Sequence, residues 1–169
     1  MIEMTVIAIS GTPGSGKTTI ANLLKKGDRE VINIGEFASQ NGCVSSYDEM
    51  NKCDVIDGDL VIEKLREYLK GKTHTIIVES HLADLVPEEY LDRCYVLEVQ
   101  ISDLVERLKE RGYSEKKIAD NKLSELMRDC YMYSLDAFGE ERVEVIKPSP
   151  IEEIVRIIED YLEQKERGK

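Results

Sequence analysis

One stretch of the chain has residue types and spacing that suit phosphate chemistry. Residues 11–18 read GTPGSGKT and fit the pattern G-x-x-x-x-G-K-[ST] without a mismatch. Gly14 and Gly16 let backbone N–H groups turn toward a phosphate, and the helix that follows adds the positive end of its dipole. We expect Lys17 to reach the outer phosphates of a nucleoside triphosphate and the Thr18 hydroxyl to hold Mg²⁺. The sequence therefore predicts a nucleotide-binding loop.

A carboxylate and an imidazole follow the most apolar stretch of the chain. Residues 76–79 read IIVE, which is typical of a central parallel strand that ends in an acid. Ligands bind at the carboxyl ends of such strands, so we expect Glu79 to organise Mg²⁺, directly or through water. His81 should face the same edge, where it could orient water, accept a proton or contact a phosphate. The residues alone leave open a solvent-facing Glu79 and a hydrogen-bonded surface His81.

Two arginines stand four residues apart on a predicted helix. Arg107 and Arg111 would place two guanidinium groups one turn apart, which suits the spread charge of a transferring phosphoryl group. The alternative is a solvated helix face that pairs with Glu106 and Glu110. The polar segment 114–121 follows, and a lid there would exclude water from the transfer.

The elements that must position these residues alternate between strands and helices. Five apolar runs predict strands, at residues 5–10, 31–34, 75–78, 95–99 and 143–146. This alternation predicts an α/β protein with the three-layer P-loop NTPase fold and a doubly wound, mainly parallel five-stranded sheet. We expect one domain over residues 1–169, with short monophosphate-binding and lid insertions.

Several local features of the helices are also predicted. Segment 35–56 is polar and less regular, Ser102 caps one helix, and Ser149-Pro150-Ile151-Glu152 is a capping box with proline at the first helical position. A long helical stretch should begin at Ser114. We expect it to direct these residues inward: Ile118, Leu123, Leu126, Met127 and Cys130.

Composition excludes several classes of protein. A net charge of −11 argues against broad affinity for nucleic acid, because phosphate backbones need a positive footprint. No apolar run reaches membrane-spanning length and no cleavable signal precedes the first strand, so we expect a cytoplasmic protein, or a nuclear one if it is eukaryotic. The spacing of the four cysteines favours free thiols.

A second nucleotide motif is present but misplaced. Residues 51–54 read NKCD, which matches the guanine-reading pattern N-K-x-D of P-loop GTPases. In those proteins the pattern follows a late strand and a D-x-x-G motif. Here it lies in the first third of the chain, and the only D-x-x-G match, at residues 136–139, comes later in a predicted helix. We therefore reject a GTPase.

Taken together, these motifs resemble the adenylate kinase isoenzyme 6 family, whose members are small nucleoside monophosphate kinases and ATPases also known as ribosome-assembly factors. The resemblance runs from about residue 5 to 147. The P-loop alone is generic, and the run R-x-x-x-R-G-Y-x-E-K-K is much more selective. The stretches that carry it are GTPGSGKTT at 11–19, Tyr47-Asp48-Glu49 with Cys53 and Asp57, ESH at 79–81, ERLKERGYSEKKI at 106–118, and Asp120-Asn121.

The resemblance implies roles by position. The residues expected to bind ATP phosphates and Mg²⁺ are Gly14, Gly16, Lys17, Thr18 and Thr19. Residues 33–56 would form the monophosphate-binding region and residues 110–120 a short lid. Arg111 would contact ATP and Arg107 the phosphates in transfer. The D-x-H motif that the family links to ATP hydrolysis aligns with residues 79–81.

Two positions depart from the family pattern. Glu79 replaces an aspartate, which keeps the charge but lengthens the reach by one methylene. Ser39 stands where members often carry an arginine for the acceptor phosphate, so a bidentate clamp is lost. This departure makes slow ATP hydrolysis more credible relative to efficient AMP phosphorylation.

Three functions therefore remain under comparison. The first is phosphoryl transfer from Mg·ATP to a nucleoside monophosphate, most simply AMP, with ADP as product. The second, implied by the resemblance, is an ATP-switched ribosome-assembly factor that binds a basic small-subunit ribosomal protein and acts in rRNA maturation. The third is a kinase for another small acceptor such as CMP, shikimate or dephospho-coenzyme A, because one fold hosts many functions.

Overall fold

The computed structural model describes residues 3–168, in which strands and helices alternate. Three short 3-10 turns, at Ala83–Leu85, Glu88–Tyr90 and Glu140–Arg142, connect some of the elements. In chain order the elements are β1 (Val6–Ser10), α1 (Lys17–Leu24), β2 (Glu30–Asn33), α2 (Ile34–Gln40), β3 (Val44–Asp48), β4 (Cys53–Ile56), α3 (Gly58–Leu69), β5 (Ile76–Glu79), β6 (Arg93–Leu97), α4 (Ile101–Glu110), α5 (Glu115–Leu126), α6 (Asp129–Phe138), β7 (Val143–Ile146) and α7 (Ile151–Arg167).

The central sheet has five parallel strands in the order β2-β5-β1-β6-β7. This arrangement confirms the predicted doubly wound α/β fold. All strands of a parallel sheet end at the same edge, so the loops after β1, β5 and β6 lie side by side. That edge is where the motif residues meet.

Alternate residues of β1 pack into two separate cores, which makes the fold three-layered. Val6 and Ala8 pack with α3 and α6, whereas Ile7 and Ile9 pack with α1 and α7 on the other face. Because both faces are covered, the strand is apolar throughout instead of alternating with polar residues.

The segment expected to be irregular contains ordered elements. Asn33 caps α2, because its side chain accepts a hydrogen bond from the Glu36 N–H at 3.0 Å. Ile34 is therefore the first residue of that helix and not the last of a strand. Strands β3 and β4 then pair as an antiparallel hairpin. The NKCD residues 51–54 lie in its turn and at the start of β4.

The predicted long helix after Ser114 is two helices. Ser114 does cap α5, but Arg128 adopts a left-handed conformation (φ 57°) and separates α5 from α6. This break turns α5 away from the core. Leu123, Leu126 and Met127 are consequently 59%, 59% and 63% exposed, so the prediction that they point inward was wrong.

Two predicted helix caps were also wrong. The Ser149 hydroxyl donates to the Lys147 carbonyl instead of capping, and Pro150 precedes α7 instead of starting it. Helix α4 begins at Ile101, before Ser102. The four cysteines are free thiols, and within residues 3–168 no helix is long and apolar enough to cross a membrane.

Candidate functional site

The loop between β1 and α1 has the backbone shape of an anion cradle. Gly14 and Gly16 have φ of 92° and 99°, the left-handed region that glycine tolerates. A side chain on Gly14 would also collide with α4, since its Cβ would lie 3.0 Å from Leu104 Cδ1. Gly16 is the N-cap of α1 and provides no side chain to occupy the first N–H groups of the helix. Those groups are therefore available to a phosphate.

Lys17 lies within this cradle. It is buried, and its Nζ donates to the Thr12 carbonyl at 3.1 Å. Burial lowers the pKa of Lys17 to about 8, partly offset by Cys130, Glu79 and Glu125. The ammonium still carries a positive charge at neutral pH, so a phosphate that entered the cradle would replace missing solvation.

Thr18 and Glu79 meet at the carboxyl end of the sheet. The Thr18 hydroxyl donates to Glu79 Oε1 at 3.1 Å, and Asn33 Nδ2 donates to the same oxygen at 2.9 Å. The register explains the second contact, because Asn33 and Glu79 are paired at the ends of β2 and β5. Glu79 is 2% exposed, so it faces the site and not open solvent.

The oxygens of Thr18 and Glu79 fit a magnesium ion. Hard oxygen donors are the ligands Mg²⁺ prefers, and it usually takes one or two protein groups together with water and substrate phosphates. Among residues 3–168 no cluster of three His, Cys, Asp or Glu side chains forms a metal cage. The donor set therefore suits a cation that arrives with the nucleotide.

His81 lies beside Glu79, at the edge of a cavity of about 250 Å³. Its ring is exposed at that edge, although protein atoms crowd it. This partial burial, with Lys17 and then Lys117, lowers the pKa of His81 to about 4. The imidazole is therefore neutral at physiological pH and can accept a proton or a hydrogen bond from water.

The two arginines occupy different places. Arg107 Nη1 donates to the Gly14 carbonyl at 3.0 Å, so it supports the phosphate loop from α4. Arg111 is the C-cap of α4 and has no such contact to the loop. In the described part of the chain neither arginine is ion-paired with Glu106 or Glu110.

Two cavities meet at the phosphate loop. The larger, of about 530 Å³, extends past Glu98–Gln100 toward Pro148 and the start of α7, and includes Arg107. The smaller contains Lys17, Thr18, Glu79, His81 and Tyr113. Both share the same four wall residues: Gly14, Gly16, Thr19 and Arg111. The arrangement places two cavities, of about 530 and 250 Å³, next to each other at the phosphate loop.

The structure adds residues that no motif indicated. Glu125 Oε2 accepts a hydrogen bond from the Thr12 hydroxyl at 2.6 Å, and its Oε1 accepts one from the Val99 N–H at 3.2 Å. Asn33 holds Glu79 as described above. Sequence patterns report local spacing, and these contacts join distant segments, so nothing in the sequence marked them.

The two expected insertions touch each other. Residues 33–56 contain α2 and the β3–β4 hairpin, and residues 110–120 contain the turn after α4 and the start of α5. Lys116 Nζ, near the start of α5, donates to Asn51 Oδ1 in the hairpin turn at 3.1 Å. The two segments are therefore joined by a hydrogen bond between exposed side chains.

Comparison with known proteins identifies the family of this chain. A family model described as an AAA domain matches residues 7–128. The adenylate kinase isoenzyme 6 homolog FAP7 of Saccharomyces cerevisiae is 37% identical over 123 residues, which cover 72% of this chain and 61% of the yeast protein. The adenylate kinase isoenzyme 6 homolog of Schizosaccharomyces pombe is 36% identical over 154 residues, 90% of this chain and 86% of that protein. A putative adenylate kinase of Pyrococcus abyssi is 32% identical, and the alignment covers 95% of this chain and 87% of that protein.

Solved structures support the fold. The shikimate kinase of Bacteroides thetaiotaomicron superposes with a TM-score of 0.56 at 18% identity, over 94% of this chain and 98% of that chain. A gluconokinase of Sinorhizobium meliloti superposes with a TM-score of 0.55 at 18% identity, over 90% of this chain and 87% of that chain. At such identities these two likenesses concern architecture alone. The phosphate loop, the strand-end ESH residues and the relative from Schizosaccharomyces pombe, aligned over most of both chains, together show that the chain belongs to the adenylate kinase isoenzyme 6 family, within the P-loop fold.

Proposed function

We propose that this protein catalyses phosphoryl transfer from Mg·ATP to a nucleoside monophosphate, with AMP as the acceptor. The observation that carries the proposal is the pair of cavities on either side of the phosphate loop, which share Arg111 and Thr19. A kinase needs a donor and an acceptor whose phosphates meet at one point. The names of the relatives, adenylate kinase isoenzyme 6 homolog and putative adenylate kinase, point to the same reaction.

In this proposal the larger cavity takes the nucleoside of ATP and the loop takes its phosphates. The N–H groups of Gly14 and Gly16 face the phosphates, and Thr19 lies between the two cavities. Lys17 provides the buried positive charge. The wall of the larger cavity combines apolar side chains, such as Ile20 and Val99, with polar ones such as Asp103.

Thr18 and Glu79 would hold Mg²⁺, Glu79 directly or through water. When bound, the ion neutralises charge on the outer phosphates. The hydrogen bond from Asn33 fixes the Glu79 carboxylate independently of the ion. Asn33 thereby holds the Glu79 side chain, which is one methylene longer than the aspartate of the family motif, in one place.

Arg111 would contact ATP and the phosphoryl group in transfer, because it borders both cavities. Arg107 uses one N–H on the Gly14 carbonyl, and its guanidinium keeps four further donors for the transferring phosphates. In-line transfer involves little covalent chemistry for the protein, so positioning and charge neutralisation are what these side chains supply.

The acceptor would bind between the 33–56 region and the 110–120 lid. Ser39, where family members often carry an arginine, is exposed on α2. Without that clamp the acceptor phosphate would depend on Arg111. We therefore expect weak acceptor binding, and Ser39→Arg should lower the KM for AMP.

A second function is favoured by His81. A neutral imidazole next to Glu79 could orient water toward the terminal phosphate, which would give ATP hydrolysis. Hydrolysis could then switch the binding of a basic small-subunit ribosomal protein to this chain of net charge −11, in small-subunit rRNA maturation. A kinase for another small acceptor, such as CMP, is the third candidate, and no contact in the site favours it.

The test is to incubate purified protein with Mg·ATP, with and without AMP, and to separate the nucleotides by chromatography. ADP formed in stoichiometric amounts from AMP, much faster than ATP is lost alone, would establish the kinase. Slow ATP loss that ignores AMP would contradict it and favour the assembly ATPase.

His81 separates the two activities. If it orients water, His81→Ala should slow hydrolysis by about tenfold or more and slow transfer to AMP much less. His74→Ala is the matched control, because it removes the chain's other histidine away from the site. Equal loss of both activities would count against the water-orienting role.

A further inference from the structure

A carboxylate from the lid side of the molecule holds the phosphate loop. Glu125, near the end of α5, accepts the hydrogen bond of the Thr12 hydroxyl at 2.6 Å. Thr12 is 2% exposed, so this hydroxyl has little access to water. A short hydrogen bond to a carboxylate is stronger than a neutral one, and losing it would leave a buried donor unsatisfied.

Thr12 connects Glu125 to Lys17. Its carbonyl accepts from Lys17 Nζ at 3.1 Å and from the Ser15 N–H at 3.0 Å. One residue is therefore held by Glu125 through its side chain and holds Lys17 through its backbone. A displacement of Thr12 would move the ammonium group that reaches the outer phosphates.

The second oxygen of Glu125 restrains another wall of the donor side. Oε1 accepts from the N–H of Val99, which borders the larger cavity. Arg128, where the chain leaves α5, adds a contact to Glu98 Oε1 at 3.1 Å. The end of α5 is thus fixed to the loop after β6 as well as to the phosphate loop.

Glu125 itself does not reach the nucleotide space. It borders neither the larger nor the smaller cavity, in contrast to Lys17, His81 and Arg111. It lies 113 residues from Thr12 in sequence, on the helix that begins in the lid. Its effect on chemistry must therefore pass through the residues it contacts.

We propose that Glu125 is a positioning residue, which holds Thr12 so that Lys17 and the donor wall at Val99 keep their productive places when the lid closes. The inference rests on the proposed phosphoryl transfer and extends it by a residue that no motif assigns. It implies that α5 connects closure of the lid to the geometry of the phosphate loop.

The test compares Glu125→Ala, Glu125→Gln, Thr12→Val and Thr12→Ser in a steady-state kinase assay. We expect Glu125→Ala and Thr12→Val to lower kcat by about 10- to 100-fold, because a misplacement of about 1 Å costs that much, while KM for ATP changes little. Glu125→Gln keeps one of the two acceptor oxygens and should lose less. Thr12→Ser restores the hydroxyl and should be close to the wild-type protein.

The double variant Thr12→Val/Glu125→Ala distinguishes positioning from general damage. If Glu125 acts through Thr12, the double variant should be no slower than the slower single variant. Asp136→Asn, an exposed carboxylate on α6, is the control for loss of charge and should leave kcat unchanged. Thermal unfolding of each variant identifies any that fail to fold, and Glu125→Gln with Thr12→Ser then carry the comparison.

Wild-type kcat in Glu125→Ala would overturn the proposal, as would losses that multiply in the double variant. A wild-type protein that hydrolyses ATP but ignores AMP would contradict the kinase function instead. In that case the same variants are compared by ATP hydrolysis, which needs the same Lys17, and the same pattern of kcat supports or overturns the role of Glu125.

Discussion

At the scale of single residues, the buried Lys17 ammonium has donors for both the loop and a phosphate. One N–H of its Nζ donates to the Thr12 carbonyl, which leaves two for a phosphate, and burial lowers its pKa to about 8. A phosphate offers stronger acceptors and a full negative charge. A bound phosphate should therefore stabilise the buried Lys17 ammonium. Both phosphoryl transfer and ATP hydrolysis should depend on this contact.

We accordingly expect Lys17→Ala to reduce both activities by at least about 100-fold, because one buried donor to a developing negative charge is worth that much. Lys25→Ala, at an exposed lysine just after α1, is the control. The measurement is nucleotide chromatography at saturating ATP. Turnover like that of the wild-type protein would remove the P-loop as the catalytic centre.

The residues that could be predicted are those whose neighbours in sequence are also their neighbours in space. Gly14, Gly16 and Lys17 act within one short loop, so a motif describes them. Asn33 and Glu125 reach the site across 46 and 113 residues. Their polar side chains satisfy buried groups that only the folded chain brings together, and a single sequence holds no local record of that.

At the scale of elements, the hairpin β3–β4 and helix α5 are joined by a side-chain contact. Lys116 Nζ donates to Asn51 Oδ1, and also pairs with Asp120 on its own helix at 2.9 Å. Both partners of the Lys116–Asp120 pair are about 60% exposed, so these contacts contribute little to overall stability. Their effect should be on the balance between closed and open forms.

Lys116→Ala should therefore raise the KM for the acceptor, by about threefold or more, because a smaller fraction of molecules would be closed. Its urea unfolding midpoint should stay unchanged. Asn51→Ala should behave alike, and the double variant should add nothing further. The control is Lys122→Ala, an exposed lysine on the same helix. An unchanged acceptor KM would show that the bridge has no role in closure.

The same elements show where sequence patterns stop being informative. Leu123, Leu126 and Met127 have helical spacing and apolar side chains, which predicted an inward face. The left-handed Arg128 breaks the helix after them, and non-glycine residues give little local warning of that conformation. Segment 35–56 is polar because its hairpin is mostly exposed to solvent, not because it lacks structure.

At the scale of the whole molecule, the parallel sheet was predictable because both of its faces are buried. Strands covered by helices on two sides are continuous apolar runs, and five such runs stand out in the sequence. The ends of strands and the helix caps were less certain, since caps depend on individual hydrogen bonds. The sheet determines that β1, β5 and β6 open onto one edge, which explains why the motif residues meet.

The far end of the fold is held by a buried arginine. Arg29 is 5% exposed and bonds to Glu159, Glu166 and the Leu24 carbonyl, so it joins α7 to the chain after α1. Burial raises the pKa of Glu159, but hydrogen bonds from Arg29 and Lys26 outweigh burial and hold it below its ordinary value of 4.5. These contacts also help to hold the charged end of α7, which is helical to Arg167.

Arg29→Met should lower the free energy of unfolding by about 2 kcal/mol, since it removes the hydrogen bonds of a nearly buried guanidinium to two half-buried carboxylates, Glu159 and Glu166. A carboxylate with a lowered pKa stabilises the fold above its unfolded pKa, and this contribution is lost as pH falls below 4.5. Glu159→Gln should therefore flatten the decline of stability between about pH 5 and pH 3. Urea denaturation across pH measures both effects. Arg66→Met, at an exposed arginine, should cost much less.

Helix α5 is held by contacts near both of its ends, and this affects how the helix can move. The stretch from Glu115 to Glu125 is about 15 Å long at 1.5 Å per residue. Near one end Lys116 meets the hairpin, and near the other Glu125 meets Thr12. A rigid rod pivoting near Glu125 converts a wide swing of its outer end into a small displacement of its inner end. Binding of a substrate near Lys116 would thus move Lys17 Nζ only slightly, because the pivot lies close to the inner end of the helix.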